Sequence, residues 1–327
     1  MDHYATSRGS AEAAARFVQM AVAPGRPPAE ELACGLAQAP SRIDPKFLYD
    51  ELGSHLFTAI TQLPEYYPTR CEAEIWRRHG AEFAAAAGPV RTLVDLGAGD
   101  CSKGERLLGH FDVRQYVPVD ISADYLRESA ARVATARPGL DVVALGLDFS
   151  GPLDLPGPVA GDGRLFAYAG SSIGNLAPAQ ALAMLSNIRE ACAGGGLLVG
   201  VDRVKPREVV EPAYDDALGV TAAFNLNVLR HANRVLAADF QVGDWRHVTR
   251  YDEEASRIEM HLEARRALTV RWPGGERRYA AGERIHTENS YKYRPERFAA
   301  MLREAGFGGV SHWTDPRGWF SVFLARA

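Results

Sequence analysis

TLVDLGAGD, residues 92–100, is a short apolar run that closes on a glycine-rich turn. The run reads as a buried strand, and Gly97 and Gly99 let the backbone turn tightly and pass close to a ligand. A helix is expected next, near 103–110. Working forward, YVPVDIS (116–122) reads as a second strand, with Ser122 capping a helix through Ala136. DVVALGLDF (141–149) is a third strand and LFAYAGS (165–171) a fourth. A helix over 178–193 then leads to a fifth strand, LLVGVD (197–202). Strands alternating with helices of this length form a parallel sheet through crossover connections. The strands lack polar alternation, as strands covered on both faces do. The sequence therefore predicts an α/β fold.

Working outward from this block, the pattern changes on both sides. Upstream, residues 11–21 (AEAAARFVQMA) read as a short helix, and a Pro-rich break precedes a second helix ending near Leu36. Residues 46–63 show helical periodicity interrupted at Gly53. The turn PEYYPTR (64–70) leads into a helix over about 70–87, with Thr69 as its expected cap. Downstream, residues 206–242 read as helical, and 244–281 alternate. There Ile258, Met260 and Leu262 share one face and Glu259, His261 and Glu263 the other, as in a half-buried antiparallel strand. WPGGE (272–276) is a hairpin turn. A helix over 295–305 stops at Gly306, and GVSHWTD with WFSVFLARA forms a closing strand pair.

Composition limits the function classes. The 327 residues carry a net charge of −4, which argues against a nucleic-acid partner, because such surfaces are basic. No apolar window is long enough for a transmembrane helix, and no basic run precedes an apolar core near the start. Cys34, Cys71, Cys101 and Cys192 are far apart, so reduced thiols in a cytoplasm are expected. The nine histidines are scattered, and no metal is expected.

In an open α/β sheet, ligands bind beyond the carboxyl ends of the strands. The first end gives Asp95, Gly97 and Gly99, with Cys101 where the usual methyltransferase turn has a third glycine. Ser102 stands where a dinucleotide fingerprint requires Gly or Ala, and nothing downstream suits a pyrophosphate. A dehydrogenase is therefore disfavoured. The second strand ends at Asp120, an acid placed to accept both ribose hydroxyls. The third ends at Asp148-Phe149, a carboxylate for an adenine amine and a ring to pack on the base. Lys103 is placed to pair a carboxylate. Together these suit an adenosine with a sulfonium tail, S-adenosylmethionine. The fourth end, AGSSIGNL (169–176), offers Asn175 to an acceptor substrate.

The chain resembles the histidine-specific, S-adenosylmethionine-dependent methyltransferases of ergothioneine biosynthesis. The resemblance runs from about Phe47 to the end. It rests on FLYDELGSHLF (47–57), ITQLPEYYPTR (60–70), YVPVDIS, GSSIGNL (170–176), AYDDALGVTAAFNLN (213–227), RIEMHLEAR (257–265), IHTENSYKYR (285–294) and WTDPRGWF (313–320).

The resemblance implies a class I methyltransferase Rossmann-like sheet with a second, mixed α+β substrate domain. The expected division is 69–205 plus 291–327 for the first and 1–68 plus 206–290 for the second. It implies trimethylation of the α-amine of L-histidine to hercynine, by a monomer. S-adenosylmethionine would be held by Gly97, Lys103, Asp120, Asp148 and Phe149. The substrate contacts carried over are Tyr66, Asn175, Tyr214, Glu288 and Ser290, with Tyr49 and Gly170 at further pocket positions. Chemistry agrees: Asn175 and Tyr214 suit a carboxylate, and Glu288 and Ser290 suit two imidazole nitrogens. Positions 288 and 290 of an extended segment share a side, and His286 is expected on that side too. Met260 is a candidate apolar wall. Tyr49 and Tyr66 are expected to position the amine, and no base is assigned. The alternatives are another aromatic amino acid or a histidine derivative as acceptor, with Asn289 and Tyr291 as sources of altered preference, or a binding protein without turnover.

Overall fold

The structure, a computed structural model, describes residues 15–20, 26–149 and 151–327. The chain begins with β1 (Arg16–Gln19), α1 (Pro28–Ala37), β2 (Ser41–Arg42), α2 (Glu51–Ile60) and α3 (Tyr67–Ala87). It then alternates through β3 (Thr92–Leu96), α4 (Ser102–Leu108), β4 (Gln115–Asp120), α5 (Ala123–Ala136), β5 (Asp141–Gly146), β6 (Arg164–Tyr168), α6 (Pro178–Ala191) and β7 (Gly196–Asp202). Two helices follow, α7 (Arg207–Val210) and α8 (Val220–Leu236). Next come β8 (Trp245–Asp252), β9 (Arg257–Ala264), β10 (Leu268–Trp272), β11 (Gly275–Tyr279) and β12 (Arg284–Tyr291). The chain closes with α9 (Pro295–Glu304), β13 (Val310–Thr314) and β14 (Phe320–Arg326).

The main sheet has eight strands in the order β1-β5-β4-β3-β6-β7-β14-β13. Its strands are parallel except at one edge, where β14 runs antiparallel to β7 and β13 antiparallel to β14. This is the expected class I methyltransferase arrangement. From β3 the chain winds one way to β4 and β5 and the other way to β6 and β7, which opens a crevice at the strands' carboxyl ends. Every residue of β3 and β7 is buried, as their unbroken apolar runs require. A second sheet has the order β2-β12-β9-β8, and β10 and β11 form a separate hairpin.

Two cores flank the main sheet. On one side Leu185 and Ile188 of α6 and Phe298 and Leu302 of α9 pack with Val199 and Phe323. On the other, Ile75, Trp76 and Phe83 of α3 join a core that continues through Phe47, Tyr66 and Phe224 to Met260 of β9. Each such buried side chain contributes about 1.5–3 kcal/mol. The main sheet and the second sheet thus share one apolar mass, and residues at their junction are held from both sides.

Several local expectations are corrected. Residues 16–19, expected in a helix, form β1 and pair in parallel with β5; the rest of that expected helix lies largely outside the described residues. Gly53 does not interrupt a helix. The break falls at Tyr49-Asp50, and Gly53 lies in the first turn of α2, where a Cβ would come within 1.8 Å of the Leu48 carbonyl oxygen. α3 starts at Tyr67 with Pro68 in its first turn, so Thr69 is not its cap. Ser122 occupies the N-cap position of α5, but its hydroxyl donates to the Tyr49 carbonyl at 2.9 Å. Helix does not run unbroken over 206–242, because a loop separates Ala213 from α8. The polar face of β9 is covered rather than solvated: Glu259 pairs with Arg257 and His261, and Glu263 with Arg246 and Arg284. The WPGGE hairpin, the stop at Gly306 and the closing strand pair form as expected. All four cysteines are free. No helix among the described residues is long and apolar enough to cross a membrane.

Candidate active site

The turn after β3 is shaped by backbone. Gly97, Gly99 and Cys101 have φ of 68°, 52° and 60°. Cys101 is thus left-handed, at a cost of about 1–2 kcal/mol for a residue with a Cβ. Asp95 lies beneath this turn and accepts from the Tyr116 hydroxyl at 2.7 Å. Burial pushes its carboxyl up to about 7, against the pull of Tyr116 and Lys103. Gly104 is required here, since a Cβ would fall 2.1 Å from the Tyr116 oxygen and 2.4 Å from Asp95. Asp95 is thus buried and tied to Tyr116 of β4.

Asp120, at the end of β4, faces the turn. Its Oδ2 accepts from the Gly99 N–H and its Oδ1 from the Ser122 N–H, both at 2.9 Å. Burial nonetheless raises its pKa. Each oxygen carries two lone pairs, so one on each remains for a ribose hydroxyl. The Phe149 ring comes within 3.7 Å of where a Gly97 side chain would begin, so glycine keeps a cradle open beside the ring. Asp148 lies 3.7 Å from Lys46, which also pairs with Glu31 at 2.7 Å. Lys103 extends from α4 to Gly170, where its Nζ lies 2.2 Å from a would-be Cβ. The backbone, the acid with spare lone pairs and the open cradle fit S-adenosylmethionine.

The fourth strand end leads into the acceptor pocket. Gly170 and Ser171 are both left-handed, with φ of 76° and 63°. The Gly170 N–H is held by both oxygens of buried Glu72, at 2.9 and 3.0 Å. Beyond this turn lies a pocket. Its lining includes Tyr49, Tyr66, Gly170 and Asn175, and also Tyr214, Met260, Glu288 and Ser290. The eight residues expected around the acceptor thus come together from the segments that precede α2 and α3, the β6–α6 turn, the loop before α8, β9 and β12.

Each is held locally. Tyr49 sits between a 3₁₀ turn (Pro45–Leu48) and α2, its ring packed edge-on against Phe57 and Phe224 at 5.5 and 5.4 Å. Tyr66 packs on Phe57 and Tyr214 at 6.2 and 6.3 Å. Burial pushes the phenols of Tyr49, Tyr66 and Tyr214 well above their ordinary value, so none is a phenolate near neutrality. The loop carrying Tyr214 is pinned by Asp216, which accepts from the N–H groups of Val220 and Thr221 at 3.0 and 2.7 Å. A His247 ring N–H donates to the Tyr214 carbonyl at 2.9 Å.

Glu288 owes its direction to an irregularity. The pairing of β12 with β9 shifts register between His286 and Glu288, so Thr287 is an extra residue. Its hydroxyl donates to the Met260 carbonyl at 3.0 Å. Glu288 and Ser290 then stand opposite Met260 and Ile258 and face the pocket, as expected. His286 does not share that side. It stands opposite His261, and its Nε2 meets the Asn289 amide oxygen at 3.0 Å. Asn289 and Tyr291 are likewise turned away, Tyr291 accepting from Arg257 at 2.7 Å, so neither reaches the acceptor. Burial raises the Glu288 carboxyl to about 8, with Lys292 pulling the other way. One Asn175 N–H donates to Glu288 at 3.3 Å, which leaves the other for a ligand.

Sequence reading missed Glu72, Phe57, Phe224, Thr221 and the lysines behind the pocket. Phe57, Phe224 and Thr221 read as ordinary helix positions, and nothing local marks Glu72. A buried acid on α3 touching a turn 98 positions later carries no local signal.

The model of a family described as histidine-specific, S-adenosylmethionine-dependent methyltransferases matches residues 28–327. A histidine N-alpha-methyltransferase of Mycolicibacterium smegmatis is 44% identical over 303 residues, covering 90% of this chain and 93% of that one. One from Mycobacterium tuberculosis is 42% identical over 301 residues, covering 89% and 92%. Ergothioneine biosynthesis protein 1 of Neurospora crassa is 31% identical over 297 residues, 88% of this chain and 33% of that longer one. The chain belongs to the histidine-specific, S-adenosylmethionine-dependent methyltransferase family.

Proposed function

We propose that this chain moves methyl groups from S-adenosylmethionine to the α-amine of L-histidine, three in succession, giving hercynine in a route to ergothioneine. One observation carries the reading: Asn175, Tyr214, Glu288 and Ser290 converge on one aromatic-walled pocket at the end of β6. Histidine offers a carboxylate, an amine and an imidazole, and these four residues offer a partner for both its ends.

When bound, S-adenosylmethionine supplies a methyl carbon already activated by a positive sulfur. Gly97, Lys103, Asp120, Asp148 and Phe149 would hold it. The chain's own contribution is positioning, which supplies much of the rate in such displacements. Asn175 and Tyr214 fix the carboxylate, and Glu288 and Ser290 fix the ring. Tyr49 and Tyr66 orient the amine as neutral phenols, and their burial excludes a phenolate base. The aromatic wall favours the charged, partly methylated amines by cation–π attraction of about 0.5–2 kcal/mol. Residues 26–68 and 206–290 form the substrate unit in this reading, whereas β1 lies on the main sheet. A monomer in a reducing cytoplasm completes it, consistent with four free thiols.

Mass spectrometry of the protein incubated with S-adenosylmethionine and each amino acid separately tests the proposal. Histidine alone should gain three methyl groups. Methylation of another amino acid, or of none, overturns it.

A further inference from the structure

Behind the pocket wall lies a buried ionic cluster that the transfer itself leaves unused. Lys292, its side chain fully enclosed, lies 2.9 Å from Asp202 Oδ2. It donates to the Tyr214 hydroxyl oxygen at 2.8 Å and to the Ser290 hydroxyl oxygen at 2.9 Å. An ammonium has three hydrogens and no lone pair, so it can only donate to the two hydroxyls, with the Asp202 carboxylate as its counter-charge. Asp202 also pairs with Lys205 and accepts from the Tyr67 hydroxyl at 2.7 Å. Two lysines thus share the one Asp202 carboxylate, and Lys292 also acts on the Glu288 carboxyl in the pocket.

The hydroxyls can then be counted. Tyr214 and Ser290 each carry one hydrogen, and each accepts from Lys292. Their oxygens are 2.8 Å apart, so one donates to the other. One of the two hydrogens is used in that bond, and one remains for the pocket. A carboxylate needs a donor, whereas an imidazole N–H needs an acceptor. Both needs are met when Ser290 donates to Tyr214, Tyr214 donates to the carboxylate, and a Ser290 lone pair faces the ring.

We infer that Lys292 is a positioning residue that holds the Tyr214 and Ser290 hydroxyls together and sets a positive charge behind the Tyr214 donor, so that the pocket selects acceptors with an α-carboxylate. The inference rests on the proposed function and concerns the same pocket.

Calorimetry of the full chain with S-adenosylhomocysteine present tests it, using histidine and histamine, which lacks the carboxylate. Lys292→Met should weaken histidine about tenfold or more while changing histamine less than about threefold. Tyr214→Phe should give a similar loss, and adding Lys292→Met to it should cost less than about twofold further, because the path is already cut. Steady-state rates should show the loss in KM, with kcat held within about threefold. Unchanged S-adenosylhomocysteine affinity establishes folding. Where Lys292→Met does not fold, Lys292→Gln, which keeps two N–H donors without the charge, should lose part of the preference for histidine over histamine. Equal losses for both ligands, or losses that multiply in the double variant, overturn the role of Lys292. A wild-type chain that binds no histidine overturns the proposed function as well, which separates the two failures.

Discussion

At the ends of β3 and β4 the chain makes its site from backbone. Gly97, Gly99 and Cys101 turn left-handed, and the Gly99 N–H closes on Asp120. Across the crevice, at β9 and β12, the site is made from side chains. There Glu288, Ser290 and Tyr214 are fixed by a register shift, a capped loop and a buried lysine. A backbone site depends on dihedral angles and tolerates a change of side chain that keeps them, as Cys101 shows. A side-chain site depends on chemical identity and on buried charge, and one removed partner leaves another unsatisfied. In the proposed reading, donor binding and acceptor recognition therefore rest on separate physical devices within one shared core.

The largest effect that would sharpen this contrast is at Glu288. Glu288→Ala should lower kcat/KM for histidine about a hundredfold or more, read by product mass spectrometry. Asp120→Ala should raise the Kd for S-adenosylmethionine on the order of tenfold, measured by calorimetry. Tyr49→Phe and Tyr66→Phe keep the rings and should change the ratio of mono- to trimethylated product by about threefold. An unchanged product pattern would remove both hydroxyls from amine positioning.

Glu288 also gives a pH signature without ligand. Its carboxyl keeps a proton up to about 8 in the folded chain, against an ordinary 4.5. Between those values the folded state binds more protons than the unfolded one, so this group's contribution to stability falls as pH rises. Glu288→Gln removes that slope and should raise Tm at about pH 8 by a few degrees more than at about pH 5. A Tm gain equal at both ends would contradict the buried acid. The smallest effect is expected at Cys101. Cys101→Gly relieves a left-handed residue and loses a buried thiol, so stability should stay within about 1 kcal/mol and donor affinity within about twofold. A large loss of donor affinity would break the comparison, since the turn would then depend on its side chain.

The same contrast governs what the sequence discloses. The central parallel strands, β3 to β7, were readable because each is a short, largely apolar run with a glycine or an acid at its end or within two residues of it. Asp120 was readable as a strand end, whereas β5 stops at Gly146 and Phe149 lies in the loop three residues beyond it. β1 was not, since AEAAARFVQM carries helical propensity and β5 lies over a hundred residues away. Glu288 and Ser290 were placed together by two-residue spacing, but His286 was misplaced because one extra residue, Thr287, inverts the side upstream of it. Nothing local in the string YKYR marks Lys292. Only the fold brings Asp202, Tyr214 and Ser290 around it.

The most direct test of this division is a pair of calorimetric titrations on Glu288→Ala, first with S-adenosylmethionine and then with histidine. The account predicts donor affinity equal to wild type and no measurable histidine binding. Loss of both together, or histidine binding that survives, would contradict it.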